Sequence, residues 1–304
     1  MARSVLITIA VAFAGAAFAA EPQPSKALPP ASATAACLEQ NSLPNDAFGF
    51  NSGSDVNDLG QFSLSGAYGG SFGARSGPLA SHNLNVQATY SPWRCVELDP
   101  FAFAGVTNSK TFGAKANGST VGGGIEMKYK LLGRDTDGVG LTFDAVLQGA
   151  ATDGAFYTLT GRSRSVYDGV FSVFLDKELI TGKLYGALNV SYDWNYQDLG
   201  SPGGGYARTS IARVGGALTY QLADSFFIGA EANHFRRYDN LAFGHLLGQA
   251  TFAGPTFYWA LTKDWALSGA WSIQVAGRAA GVGGNVDLTN FSRHIAKLKL
   301  NHDF

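Results

Sequence analysis

From Gln61 to Phe304 the chain repeats one pattern: runs in which apolar and polar residues alternate strictly. Period-two alternation is the signature of a strand with two different faces. Twelve such runs are legible, at residues 61–72, 82–91, 96–107, 121–132, 139–150, 162–176, 183–194, 210–222, 226–236, 249–261, 265–277 and 292–304. Each is near the ten or so residues a tilted strand needs to cross a bilayer. In the clean cases Leu84, Val86, Ala88 and Tyr90 alternate with Asn83, Asn85, Gln87 and Thr89. Val121, Ile125, Met127, Tyr129 and Leu131 alternate with a register carrying Glu126, Lys128 and Lys130. The runs at 96–107 and 249–261 are less regular, and Pro255 is awkward in a closed sheet because it has no N–H to give to a ladder.

The connections are the stronger test. Short ones (91–95, 133–138, 177–182, 223–225, 262–264) alternate with long ones (73–81, 108–120, 151–161, 195–209, 237–248, 278–291). An up-and-down barrel with both chain ends on one side of a membrane sorts its loops in this way. Aromatics fall into two bands. Tyr90, Trp93, Tyr129, Tyr220, Phe226, Tyr258, Trp259, Trp265 and Phe304 lie near the short turns, and Tyr68, Tyr192, Trp194, Phe235 and Tyr238 near the long loops. Amphipathic rings favour the two lipid–water boundaries. The fold class expected is therefore all-β, an antiparallel up-and-down transmembrane β-barrel of about 12 strands over residues 60–304.

The ends of the chain agree. Residues 1–20 hold one positive charge, Arg3, an apolar stretch from Val5 to Phe18, and small residues around Ala19, which together read as a secretory signal peptide. Residues 21–59 begin rich in Pro, Ala and Ser and continue polar and turn-rich, which reads as a flexible periplasmic leader. Cys37, in that leader, and Cys95, in the first short turn, are the only cysteines. Both fall on the same oxidising side, which makes them a candidate disulfide; two unrelated thiols are the alternative, since sequence does not fix the geometry. Cys37 has no apolar core directly before it, which argues against a lipoprotein anchor. At the other end Phe304 closes a strand whose outer register holds Leu300 and Leu298. This terminal aromatic resembles the assembly signal of bacterial outer-membrane β-barrels, which implies as partners the outer-membrane lipid and the barrel-assembly machinery.

The inward registers carry charges of both signs: Glu126, Lys128, Asp144, Asp193, Arg213, Glu231, Lys297 and Lys299. Two readings of this interior stay open. Opposite charges in a low-dielectric shell pair and hold the barrel shut, or they line a hydrated path for a small solute. The formal net charge of -1 implies no nucleic-acid partner. No enzyme, cofactor or metal site is expected. His82, His234, His245, His294 and His302 have no triad or ligand set around them, and the His-x-Ser arrangement of outer-membrane phospholipases is absent. Gly122-Gly123-Gly124 is no phosphate loop, since no helix follows it; glycine there relieves crowding in a strand.

The chain resembles Gram-negative outer-membrane barrels of the small transporter or channel kind. Phe227-Ile228-Gly229-Ala230-Glu231-Ala232, Ala253-Gly254-Pro255-Thr256 and Ala270-Trp271-Ser272-Ile273-Gln274-Val275-Ala276-Gly277 carry the likeness. It is similar to alphaproteobacterial barrels, more faintly to barrels linked to uptake of aromatic compounds. The resemblance implies a bacterial outer-membrane location with an N-terminal periplasmic segment, and passive movement of a small solute. A closed barrel recognising partners through the loops at 195–209 and 278–291, with Tyr196, Tyr206 and Arg208, is the alternative.

Overall fold

The computed structural model describes residues 43–75, 77–111, 114–153, 164–198 and 205–304. Twelve antiparallel strands run β1 (Phe62–Ala74), β2 (Gly77–Trp93), β3 (Val96–Thr111), β4 (Ala114–Leu132), β5 (Gly140–Asp153), β6 (Arg164–Ile180), β7 (Leu184–Asp198), β8 (Tyr206–Ala223), β9 (Phe226–Tyr238), β10 (Leu246–Ala260), β11 (Trp265–Ala279) and β12 (His294–Asp303), with one helical turn, α1 (Arg134–Asp137), between β4 and β5. Each strand pairs with its sequence neighbours, and β1 pairs with β12 from Ser63↔Asp303 to Phe72↔His294, so the barrel is closed. Closure leaves no edge and satisfies every ladder within the wall.

Outward positions are apolar and exposed: Leu84, Val86, Val121, Ile125, Met127, Leu188, Val214, Leu218, Ile228, Trp271 and Val275 among them. Inward positions are polar and buried, as Ser63, Ser65, Gln87, Thr89, Thr219 and Asn233 show. A water-soluble fold puts these two sets the other way round; a barrel in lipid requires this one. Inside, the rings of Phe103 and Phe101 lie across Gly122 and Gly124, where a Cβ would collide with them.

Three expectations need correcting. The connections at 73–81 and 108–120 are mostly strand: Ala74 pairs with Gly77, and the β3–β4 ladder runs on through Asn108↔Asn117 to Thr111↔Ala114. Pairing continues past the apolar belt into polar sequence, where alternation gives no signal. Tyr258 and Phe235 are not interfacial; both point inward and are buried. Pro255 stays in β10 because the β10–β11 register passes from Ala253↔Ile273 to Thr256↔Ala270, leaving no ladder partner for it on that side. On the turn side Trp93, Tyr129, Trp259, Trp265 and Phe304 are exposed aromatics, and the Phe304 ring sits 5.3 Å from that of Phe62 across the closing seam.

Candidate functional site

The lumen is occupied by the chain itself. Residues 43–57, which the composition placed in a flexible leader, form a finger inside the barrel, where Ala47, Phe48 and Ser54 have no exposed surface. Glu21 to Ser42, Cys37 included, lie outside the described residues. The finger rises from Leu43 through a short 3₁₀ turn at Asn45–Phe48, reverses at Gly49 (φ 76°), and descends to join β1. Its root packs Leu43, Ala47 and Phe48 against Tyr185, Ala187, Ala217, Phe227, Tyr258 and Ala266, all near the short-turn end. Its two ends therefore lie at the same mouth, where the Leu43 N–H donates to Asp55 at 3.0 Å.

Two aspartates fix its position. Asp46 accepts from Lys297 at 2.8 Å and pairs with Lys299 at 2.9 Å, while Lys297 also donates to the Gly49 carbonyl at 3.1 Å. Asp55 pairs with Lys130 at 2.7 Å and Arg134 at 2.9 Å, and Arg134 bridges onward to Asp176 at 2.8 Å. Burial pushes the Asp55 carboxyl up, but the charges of Lys130 and Arg134 outweigh it and hold it below its ordinary value. Each aspartate thus meets two wall cations. A buried ion left with one partner missing is strongly destabilising, so this pairing specifies where the finger sits.

The finger's backbone is satisfied by side chains. The N–H of Phe50 donates to Glu231 (2.9 Å), that of Ser52 to Asn189 (2.6 Å), that of Ser54 to Asp176 (2.5 Å) and that of Asn57 to Glu97 (2.7 Å). Arg213 donates to the Phe50 carbonyl and to Asn51 Oδ1 (3.1 Å), Thr142 to the Ser54 carbonyl, and Thr256 to the Ala47 carbonyl (3.1 Å). Gly140 supplies room: a Cβ there would overlap Ser54 Oγ.

Of the eight charges expected to line the lumen, Arg213, Glu231, Lys297 and Lys299 touch the finger directly. Lys128 is held by Glu97 (2.6 Å), Asp99 (3.3 Å) and Glu126 (3.5 Å), and joins the finger through Glu97. Asp144 lies opposite Lys128 in the β4–β5 register. Asp193 does not meet Arg213. Through Ile211 it shares a row with Arg237, whereas Arg213 turns down to Asn233 (3.0 Å) and the finger.

The sequence reading missed Asp46, Asp55, Glu97, Asp99, Arg134, Asp176 and Arg237. The one available signal is the composition change after Ala36, where the Pro/Ala/Ser-rich stretch ends and turn formers with two aromatic anchors, Phe48 and Phe50, follow.

The opposite end of the lumen is filled differently. The segment after β11 folds inward, so that Asp287 and Phe291 have no exposed surface. Phe291 packs with Ile211, Phe235, Ala250, Phe252 and Ile295, and Phe50 at the fingertip reaches this cluster. Tyr196 and Tyr206, expected in a recognition loop, lie on strand ends with their rings stacked at 4.4 Å and Arg208 over Tyr196. The histidines each meet a neighbour: His82 with Tyr68 (2.7 Å), His234 with Thr251 (2.9 Å), His245 with Asp239 (3.1 Å), His294 with Trp271 (3.3 Å), and His302 with the Asp264 carbonyl (3.1 Å).

Among solved structures, the chain is similar to an outer-membrane channel from Pseudomonas putida F1, at 13% identity and a TM-score of 0.54, covering 83% of this chain and 98% of that one. It is also similar to the β domain of the Bordetella autotransporter BrkA, at 9% identity and a TM-score of 0.59, over 81% and 100%. The translocator domain of the autotransporter NalP from Neisseria meningitidis matches at 15% identity and a TM-score of 0.51, over 83% and 91%. Identities this low show a shared fold, the outer-membrane β-barrel. No curated protein matches the sequence. A family model does match, over residues 44–304, from the finger to the last residue: the chain belongs to the family of unknown function DUF6662.

Proposed function

We propose that this protein resides in a bacterial outer membrane as a gated channel for a small polar solute, with residues 43–57 as the gate. One observation carries the reading. The finger is held by side chains, from its two ion-pair clamps to its backbone N–H groups, and by no strand ladder. It can leave by the turn-side mouth without breaking the wall. A wall lined with charge of both signs then becomes a hydrated path.

The same reading makes residues 1–20 a signal peptide and the finger's root periplasmic. It makes Phe304, Leu300 and Leu298 the signal for the assembly machinery. A Cys37–Cys95 disulfide would tether the root to the β2–β3 turn, so that the finger swings out and returns.

The test is planar-bilayer current through full-length protein. Wild type should be mostly silent at neutral pH. Asp46→Asn/Asp55→Asn, which leaves four wall cations without their finger carboxylates, should open often. Silence of both across ions, sugars and small organic acids would overturn the proposal. A second reading, a permanently closed barrel, is favoured by the burial of Asp287 and Phe291 in the other mouth; it expects that silence.

A further inference from the structure

We propose that the outer wall of β9–β11 carries a binding site for the phosphate of a lipid headgroup. The inference rests on the membrane reading above, and concerns the lipid-facing surface rather than the lumen.

On these three strands the outward register changes chemistry at one level. Going up β9 it reads Ile228, Ala230, Ala232 and then His234 and Arg236. On β11 it reads Trp271, Ile273 and Val275 and then Arg278, and on β10 Trp259, Phe257, Pro255 and Ala253 give way to Thr251 and Gln249. Cross-strand pairing puts the changes side by side. Arg236 is opposite Gln249, and Gln249 opposite Arg278, so the three form one row with the glutamine in the middle. The row beneath is His234, Thr251 and Ala276. Both arginines are exposed, and the residues flanking Arg236, Phe235 and Arg237, are buried, so Arg236 projects from the wall.

The level fits a headgroup. From Trp259, in the turn-side aromatic band, to Gln249 is ten residue steps, roughly 33 Å along the strand, or about 25 Å along the membrane normal at the usual tilt. That is the height of an apolar belt, and the arginine row sits where it ends.

The surface there is concave. A cleft of about 540 Å³ is lined by His234, Gln249, Thr251 and Arg278, with Gly283–Asn285 of the following segment as its upper wall, and Arg236, opposite Gln249, stands beside it with its guanidinium 5.8 Å from the Tyr238 ring. That wall is pinned: Gly277 N–H donates to the Asn285 carbonyl at 2.9 Å, and Arg75 donates to the Gly283 carbonyl at 3.0 Å. Two guanidiniums flanking an amide offer forked donors that match phosphate oxygens. The local carboxylates are otherwise engaged. Asp287 is buried and bound to Asn290, and Asp239 holds His245. Among the described residues neither Arg236 nor Arg278 has an ion-pair partner. Cations at a membrane surface attract anionic headgroups, and a site whose lower rim continues into lipid selects a phosphate that carries acyl chains.

The experiment titrates full-length protein in detergent with dioleoyl phosphatidic acid, dioleoylglycerol or inorganic phosphate, read by native mass spectrometry. Phosphatidic acid should bind well above the other two, and Arg236→Gln/Arg278→Gln should weaken it by about thirtyfold. Arg236→Lys/Arg278→Lys, which keeps charge but loses the fork, should fall between. Arg208→Gln, on the same rim outside the cleft, should match wild type. Barrel folding of each variant is verified by heat-modifiable gel migration. Unchanged retention by the glutamine pair, or equal binding of dioleoylglycerol, overturns the site; saturation by inorganic phosphate at the same concentrations overturns the lipid assignment. Because these arginines are remote from the finger, the glutamine pair should leave channel current unchanged, so failure here is separable from failure of the gate.

Discussion

The two halves of the lumen are closed by opposite chemistry. On the turn side a polar finger is held by Asp46 and Asp55 on four wall cations and by hydrogen bonds from its own backbone. On the loop side Phe291 fills the barrel by packing on Phe235, Phe252 and Ile295. Ion pairs are long-ranged, specific in position and sensitive to charge; apolar packing is insensitive to pH and depends on shape. The two therefore answer to different perturbations: charge and acidity act on the first, side-chain volume on the second.

Substitutions that strike one closure and spare the other break or sharpen this contrast. The largest effect should come from Arg134→Ala, which strips a partner from both Asp55 and Asp176 and should weaken finger docking by about 3–5 kcal/mol. Hydrogen exchange of the amides in 43–57 would show it, with amides of the β10–β11 ladder unaffected. Phe291→Ala should cost roughly 3 kcal/mol on the other side, seen as proteolysis within 280–293 and no change in finger exchange. Gly140→Ala should weaken the finger by about 1–3 kcal/mol through overlap with Ser54.

Acid is a subtler probe. The Asp55 carboxyl is depressed below its ordinary 3.8. The stability it contributes is therefore present above that value and is lost as pH falls through the lower, folded one. The part of finger protection that rests on Asp55 should persist down to about pH 4 and decline below it, while protection around Phe291 stays flat. Lys263→Ala, at an exposed pair with Asp264 3.5 Å apart, should change stability by about 0–1 kcal/mol at most.

The wall was legible because a barrel strand faces two solvents, and its alternation records both. Leu84 to Tyr90 and Val121 to Leu131 could be assigned residue by residue for this reason. Legibility failed wherever only one solvent acts. The β3–β4 hairpin beyond Asn108 stands above the apolar belt and has no alternation left to read. The finger is shorter than a domain, its apolar contacts come from Leu43, Ala47, Phe48 and Phe50 alone, and its partners lie up to about 250 positions away, as with Asp46 and Lys297. Such contacts leave no local periodicity. Lys297 and Lys299 could be placed inside the barrel, but what they hold could not.

A reversible covalent lock on the finger tests the central claim most directly. A Cβ on Gly140 would lie 2.9 Å from that of Ser54, close enough for a Ser54→Cys/Gly140→Cys disulfide after small adjustment, in a Cys37→Ser/Cys95→Ser background. The account predicts no current from the oxidised protein under voltages or acidity that open it once dithiothreitol is added. Equal current in the two states, including none in either, would contradict it.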